Sequence, residues 1–356
     1  MKKIFIAATK QNDGKTTVSL GLIFNLKDRF KKVAFIKPIG QRYLEEEGVK
    51  VDEDSVLIER VMQICKVRCG LKDMSPIAVE RGFTEEYIAH PDRSSITSQI
   101  KNSFQKVSRG QDLVIIEGTG HAGVGSVFDH SNAQVAKLLG TKVIIVSSGG
   151  IGRPIDEIVL NKALFDRQGV KILGAIINKV LPEKFDRISN LVRRGLKRKG
   201  IDVLGVIPYH PMLSYPSVEQ ILEETNFELL AGKDFLENYV AQVLVGAMEP
   251  AEAIKYIAQD CLLIIPGDRQ DLIKACVDLK ISGMVLSGGI IPDGPTLELL
   301  KNARIPVLLA KPDTYSVAAK IHDLTVKIRP EDSTKINMVN KLIKDNLNLE
   351  KIVKGA

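Results

Sequence analysis

The chain has 356 residues, 44% of them hydrophobic and 26% charged, which suits two domains with ordinary apolar cores and excludes a disordered chain. Lys and Arg outnumber Asp and Glu by 50 to 43. That mild excess, with no recognisable nucleic-acid motif, gives no ground for a nucleic-acid partner.

Four cysteines, Cys65, Cys69, Cys261 and Cys276, match neither a disulfide framework nor a zinc site by their spacing. Cys261 and Cys276 stand in apolar runs and read as small core residues. No apolar run reaches the roughly 18 residues of a membrane helix. The N-terminus goes straight into a short apolar strand, without the long apolar core of a signal peptide. The expectation is a cytoplasmic protein without membrane contact. The cationic run at 193–199 reads as the solvated end of a helix.

In chain order, short apolar runs at 4–8, 33–36, 113–116, 143–146, 172–177 and 203–207 predict strands. They are near-continuous, so both faces of their sheet are covered. Helical patterns at 16–30, 96–107, 133–139, 155–167 and 185–199 fall between them. Repeated strand–helix–strand order predicts a doubly wound parallel α/β sheet. The less regular stretch 41–95 is a long insertion, of the kind that carries substrate or switch segments. Pro208, Pro211 and Pro216 crowd one segment and place a domain boundary there. Beyond it a smaller α/β domain is expected, with strands at 262–265, 284–286 and 307–310 and helices at 235–245, 249–258, 269–279, 296–302 and 316–321. A final helix is expected at 335–346. The expected domains are 1–212, 217–330 and a helical tail at 331–356.

The first strand runs into Ala8-Thr9-Lys10-Gln11-Asn12-Asp13-Gly14-Lys15-Thr16-Thr17. Strand, glycine-bearing loop and helix in that order are the context of a phosphate loop. Gly14 lets backbone approach phosphates, Lys15 adds charge near the β- and γ-phosphates, and Thr16 offers a hydroxyl to magnesium. Thr9, Asp13, Gly14, Lys15, Thr16 and Thr17 are the candidate nucleotide-binding residues of the loop. Thr9 stands where the usual pattern has its first glycine.

This loop resembles that of dethiobiotin synthetase and the cobyrinic acid a,c-diamide synthases, with Ala8 for their first glycine. Phe35-Ile36-Lys37-Pro38, Ile116-Glu117-Gly118-Thr119-Gly120 and Ile176-Ile177-Asn178-Lys179 extend the resemblance. It implies ATP and Mg²⁺ as cofactors, with Lys15 and Lys37 facing the phosphates as catalytic residues. It implies Asn178 as an adenine contact, and Thr16, Asp54 and Glu117 on the magnesium side, with Asp52 competing with Asp54. Independently, Lys37, Glu117 and Asn178 each lie at the carboxyl end of an expected parallel strand, where open α/β sheets bind ligands.

Over almost its whole length the chain resembles the N-terminal region of long phosphate acetyltransferases, a dethiobiotin-synthetase-like domain followed by a DRTGG domain. Gly267-Asp268-Arg269, Ser287-Gly288-Gly289 and Asp313-Thr314-Tyr315 carry the second part. Asp268, Arg269, Ser287, Gly288, Gly289 and Asp313 are the candidate ligand or contact residues there. Turn and cap chemistry is the competing account of the same residues. The acetyl-transferring domain would follow position 356, so phosphate acetyltransferase activity is not expected of these residues. Two functions stay open: a regulatory or sensor protein coupling ATP binding or slow hydrolysis to a small-molecule ligand or partner, and an ATP-dependent ligase acting on a small acid or amine. Both parts of the resemblance imply a homodimer, and 217–346 is expected to fold and self-associate alone.

Overall fold

Six apolar runs become the parallel strands of a central sheet in the computed structural model, which describes residues 1–46, 48–62 and 70–356. Cys65 and Cys69 lie outside the described residues. The strands are β1 (Lys2–Ala8), β2 (Val33–Ile36), β3 (Leu113–Glu117), β4 (Lys142–Ser148), β5 (Ile172–Val180) and β6 (Val203–Pro208). They stand in the order β6-β5-β4-β1-β3-β2, and every neighbouring pair is parallel. Ile4 to Ala8, Leu113 to Ile116 and Val143 to Val146 are fully buried, as strands covered on both faces must be. The chain leaves β1 toward β2 on one side, and after β3 crosses to β4 on the other. That reversal puts a crevice at the carboxyl end of β1.

Helix α1 (Lys15–Leu26) follows β1, and α2 (Gly152–Arg167) follows β4. The insertion between β2 and β3 forms a hairpin of Tyr43–Glu46 and Val49–Asp52, then the helix Glu53–Met62. This places Asp52 and Asp54 at a strand-to-helix junction. No described helix is long and apolar enough to cross a membrane.

By contact the chain divides into Met1–Tyr209 with Arg329–Ala356, and His210–Ile328. The second unit is therefore an insertion into the first. The expected tail at 331–356 forms α3 (Ser333–Asn346) and a helix at Leu349–Gly355, and it is part of the first unit. The reason is burial: Ile336, Val339 and Ile343 of α3 are interior residues. Gly21 of α1 faces Ile343 so closely that a Cβ there would stand 2.1 Å from Cγ1. Asn25 Nδ2 donates to Asn340 O and Oδ1 at 3.1 and 2.9 Å.

The second unit holds a five-stranded sheet. Its strands are β7 (Glu228–Ala231), β8 (Gln242–Val245), β9 (Cys261–Pro266), β10 (Gly283–Ser287) and β11 (Val307–Leu309), in the order β7-β11-β10-β9-β8. Only β7 is antiparallel among these strands. Leu263, Ile265, Met284 and Leu286 pack on one face, and Leu262, Ile264, Val285 and Leu308 on the other. Cys261 and Cys276 are buried core thiols; burial pushes the Cys261 thiol up to about 11. The helix expected at 235–245 is absent: a turn at Lys233–Phe235 precedes strand β8. Its Val-rich sequence favours a pleated edge over a helix. The helix expected at 249–258 shortens to Pro250–Ala253 and a 3₁₀ turn at Ile254–Tyr256.

Candidate nucleotide site

The loop between β1 and α1 is held from below by its own polar side chains. Gly14 has φ +96°, and a Cβ there would meet Asn178 Nδ2 at 2.1 Å. Only glycine fits that conformation and that approach. Asp13 is a brace. Its Oδ2 accepts from Lys10 N–H at 2.8 Å and from Thr9 Oγ1 at 2.8 Å, and its Oδ1 accepts from Ser148 Oγ. Thr9 Oγ1 also lies 2.9 Å from Ser147 Oγ and 3.1 Å from Glu157 Oε2. Asn178 donates to Asp13 O at 2.9 Å and accepts from Lys179 N–H at 2.9 Å. Lys179 Nζ donates to Asn12 O at 2.7 Å. Thr9 after β1, Ser147 and Ser148 of β4 and Asn178 of β5 therefore fix the shape of the loop around Asp13.

Lys15 opens α1 and is 8% exposed. Burial lowers its pKa, opposed by the charges of Glu117, Asp54 and Asp13. Among the described residues it has no ion-pair partner. A desolvated, unpaired ammonium beside donor-rich backbone is a receptor for an anion. Thr16 Oγ1 donates to Glu117 Oε1 at 3.1 Å, and Ser19 Oγ to Glu117 Oε2 at 2.6 Å. Glu117 is fully buried at the end of β3. Burial, and next the charge of Asp54, push its pKa up to about 7, against the pull of Lys37 and Lys15.

Lys37, just past β2, is buried with Asp52, Asp54 and Glu117. Its Nζ lies 2.8 Å from Asp52 Oδ1 and 3.8 Å from Glu117 Oε1, and bonds Asp54 as well. Burial alone lowers a lysine, but Asp54, Asp52 and Glu117 override it and hold Lys37 charged. For Asp54 burial acts upward, and Lys37 wins in the other direction, so its pKa falls. Asp52 goes up, chiefly through burial. The structure thus gathers Lys15, Thr16, Lys37, Asp54 and Glu117 as expected, and brings Asp52 in with them. Hard oxygens on Thr16, Glu117 and Asp54 suit magnesium, which takes one or two carboxylates and completes its shell with phosphate and water. Among the described residues no group of three or more His, Cys, Asp or Glu could hold a metal by itself. The residues therefore fit a phosphate-borne Mg²⁺ and not a closed protein cage. Sequence reasoning missed Ser19, Ser147, Ser148, Glu157 and Lys179. The available signals were Ser147-Ser148 at one strand end and Lys179 beside Asn178 at another.

In the second unit the expected residues divide between turn chemistry and an exposed edge. Gly288 and Gly289 have φ +83° and +67°. Asp313 is an N-cap, accepting from Tyr315 N–H at 3.0 Å and Ser316 N–H at 3.1 Å. Ser287 Oγ lies 2.7 Å from Thr314 Oγ1. Arg269 is held by Asp271 through two 3.0 Å bonds and by Met248 O, on the segment after β8, at 3.1 Å. Asp268 is exposed. Ser287, Gly288 and Asp313 come together at the ends of β10 and β11; Arg269 is occupied elsewhere.

The comparisons with known proteins agree with these two units. A family described as "AAA domain" matches residues 2–217, and one described as "DRTGG domain" matches 220–324. The phosphate acetyltransferase of Nitratidesulfovibrio vulgaris is 26% identical over 97% of this chain and 50% of its own length. That of Pseudomonas putida is 26% identical over 98% and 51%. The chain spans about half the length of the curated relatives it matches. Among solved structures, the MinC:MinD cell division complex of Aquifex aeolicus is 21% identical with a TM-score of 0.39, over 60% of this chain and 84% of that one. The CBS and DRTGG domains of Clostridium perfringens pyrophosphatase, complexed with diadenosine tetraphosphate, are 21% identical with a TM-score of 0.28, over 35% and 58%. With a phosphate loop at the carboxyl end of its parallel sheet and a matching model over residues 2–217, the chain belongs to this AAA-domain P-loop family and carries a DRTGG domain.

Proposed function

We propose that the first unit binds ATP with Mg²⁺ at the carboxyl end of β1, and that the protein is a regulatory module in which nucleotide occupancy governs ligand or partner binding by the DRTGG unit. The observation that carries the nucleotide reading is Lys15, a buried ammonium without an ion-pair partner among the described residues, at the head of a braced glycine loop. Thr16 and Glu117 stand beside it as oxygen donors for the metal, which would neutralise phosphate charge when bound. Lys15 and Lys37 supply positive charge toward the phosphates, and the loop's backbone N–H groups orient them. Asn178 keeps one amide hydrogen and one acceptor site for adenine. The regulatory part is supported by the pairing of a P-loop unit with a DRTGG unit in one chain. A homodimer belongs to the same proposal.

Calorimetry with ATP and Mg²⁺ tests the nucleotide reading. Lys15→Ala removes a charge-assisted contact worth on the order of 1.5–3 kcal/mol, so affinity should fall about ten- to a hundredfold. Unchanged affinity would sink the assignment. Steady-state ADP release tests the regulatory reading: a slow rate, independent of added small acids or amines, is expected. Turnover that rises strongly with one such acceptor would replace it with a ligase.

A further inference from the structure

Lys37 stands on the oxygens that a cation beside Thr16 would use. Its ammonium bonds Asp54 and lies 3.8 Å from Glu117 Oε1. Thr16 Oγ1 donates to that same Glu117 oxygen at 3.1 Å, and the Thr16 hydroxyl, after Lys37, helps hold the Asp54 carboxyl low. Two cations a few ångströms apart in a buried site repel strongly, so a metal ion there and Lys37 in this position exclude one another.

Asp52 differs from its two neighbours. Its Oδ1 lies 2.8 Å from Lys37 Nζ and accepts from Asp54 N–H at 3.0 Å. Its Oδ2 is buried with no hydrogen-bond partner. Gly40 makes the room for it: a Cβ at that position would stand 2.5 Å from Oδ2. Asp52 therefore has acceptor capacity to spare beside Lys37, and no contact with Thr16 that would enlist it as a metal ligand.

We propose that Lys37 is an internal countercation for the metal position and that Asp52 is the positioning residue onto which it withdraws. Without nucleotide, Lys37 neutralises Asp54 and Glu117. With metal and phosphate bound, Lys37 would be off those two carboxylates, held by Asp52 and with its remaining hydrogens free for phosphate oxygens, while Asp54 and Glu117 would be left to hold the metal. The exchange moves one cation for another and breaks no covalent bond. It gives the two aspartates separate tasks, and it makes metal binding weak unless phosphate is there to receive the displaced lysine. The inference rests on the reading of the site as a nucleotide and magnesium site.

Mn²⁺ binding to the full chain without nucleotide, followed by electron paramagnetic resonance, tests it. Lys37→Met should bind free Mn²⁺ at least tenfold more tightly than wild type, and Lys37→Arg should match wild type. Asp52→Asn should lower Mn²⁺ affinity several-fold with Lys37 present, and by less than twofold in the Lys37→Met background, where no lysine needs the space. Circular dichroism checks that each variant is folded. Mn²⁺ affinity within twofold of wild type, or weaker, in folded Lys37→Met overturns the proposal. So does an Asp52→Asn effect of equal size in both backgrounds. If Lys37→Met does not fold, Asp52→Asn alone decides: unchanged Mn²⁺ affinity overturns the proposal, and a several-fold loss supports it. Because these arms use no nucleotide, their outcome is separate from an absence of ATP binding in wild type, which would instead remove the nucleotide reading.

Discussion

Glu117 is a carboxyl held in the interior by two hydroxyl donors, Thr16 and Ser19. With its folded pKa at about 7, above the ordinary value of a glutamate, it binds its proton more tightly in the folded chain than in the unfolded one. Its contribution to stability is then fully present below the unfolded pKa, and is lost as pH rises toward 7. Glu117→Gln has no proton to lose. In metal-free buffer the variant should gain on wild type between pH 4.5 and pH 8, by on the order of 2–3 kcal/mol. Urea melts at the two pH values measure it, and a stability difference that does not change with pH would refute the burial account. At this scale the sequence was partly legible. Gly14, Lys15 and Thr16 are adjacent, so their grouping at the head of α1 can be read from spacing alone. Asp13 and Ser148 meet across 135 positions, and no local pattern announces that contact. The two aspartates were hard to separate in the sequence because both stand on Lys37, Asp52 Oδ1 at 2.8 Å and Asp54 in direct contact.

Among the elements, the strands buried on both faces were readable because their apolar runs are unbroken. The edges were not. Strand β8 has exposed Val243 and Val245, and its apolar spacing in a short segment serves a helix equally well. Strand β7 is four residues long and antiparallel to β11, too short for a periodic signal. Helix α3 shows a different limit: its apolar stripe was legible, its destination was not. The destination is α1, where Gly21 leaves the space that Ile343 fills. Ile343→Ala should therefore destabilise the first unit by about 2–4 kcal/mol through the cavity it leaves. Hydrogen exchange should locate the loss in α1 and α3 and leave the strands β9 and β10 protected. Equal loss of protection in both units would mean that α3 supports more than the first.

At the scale of the molecule, the chain leaves its first unit at Tyr209 and re-enters it at Arg329. The proline-rich segment marked the exit because proline disrupts regular structure wherever it stands. The return at Arg329 falls beside the expected end of the second domain at 330, whereas the expected fragment of 217–346 runs past it and takes a first-unit helix along with the second unit. Residues 210–328 contain both faces of the β7-to-β11 sheet core, so they should fold alone and melt cooperatively. A fragment of 217–346 should fold over the same sheet while leaving 333–346 without a partner for Ile336, Val339 and Ile343. Hydrogen exchange on the two fragments separates the cases. Protection across the sheet in both, with rapid exchange at 333–346 in the longer one, is expected. Slow exchange at 333–346 in the absence of α1 would show that this helix finds its burial within the second unit. An unfolded 210–328 would show that the inserted unit draws its stability from the unit that surrounds it in sequence.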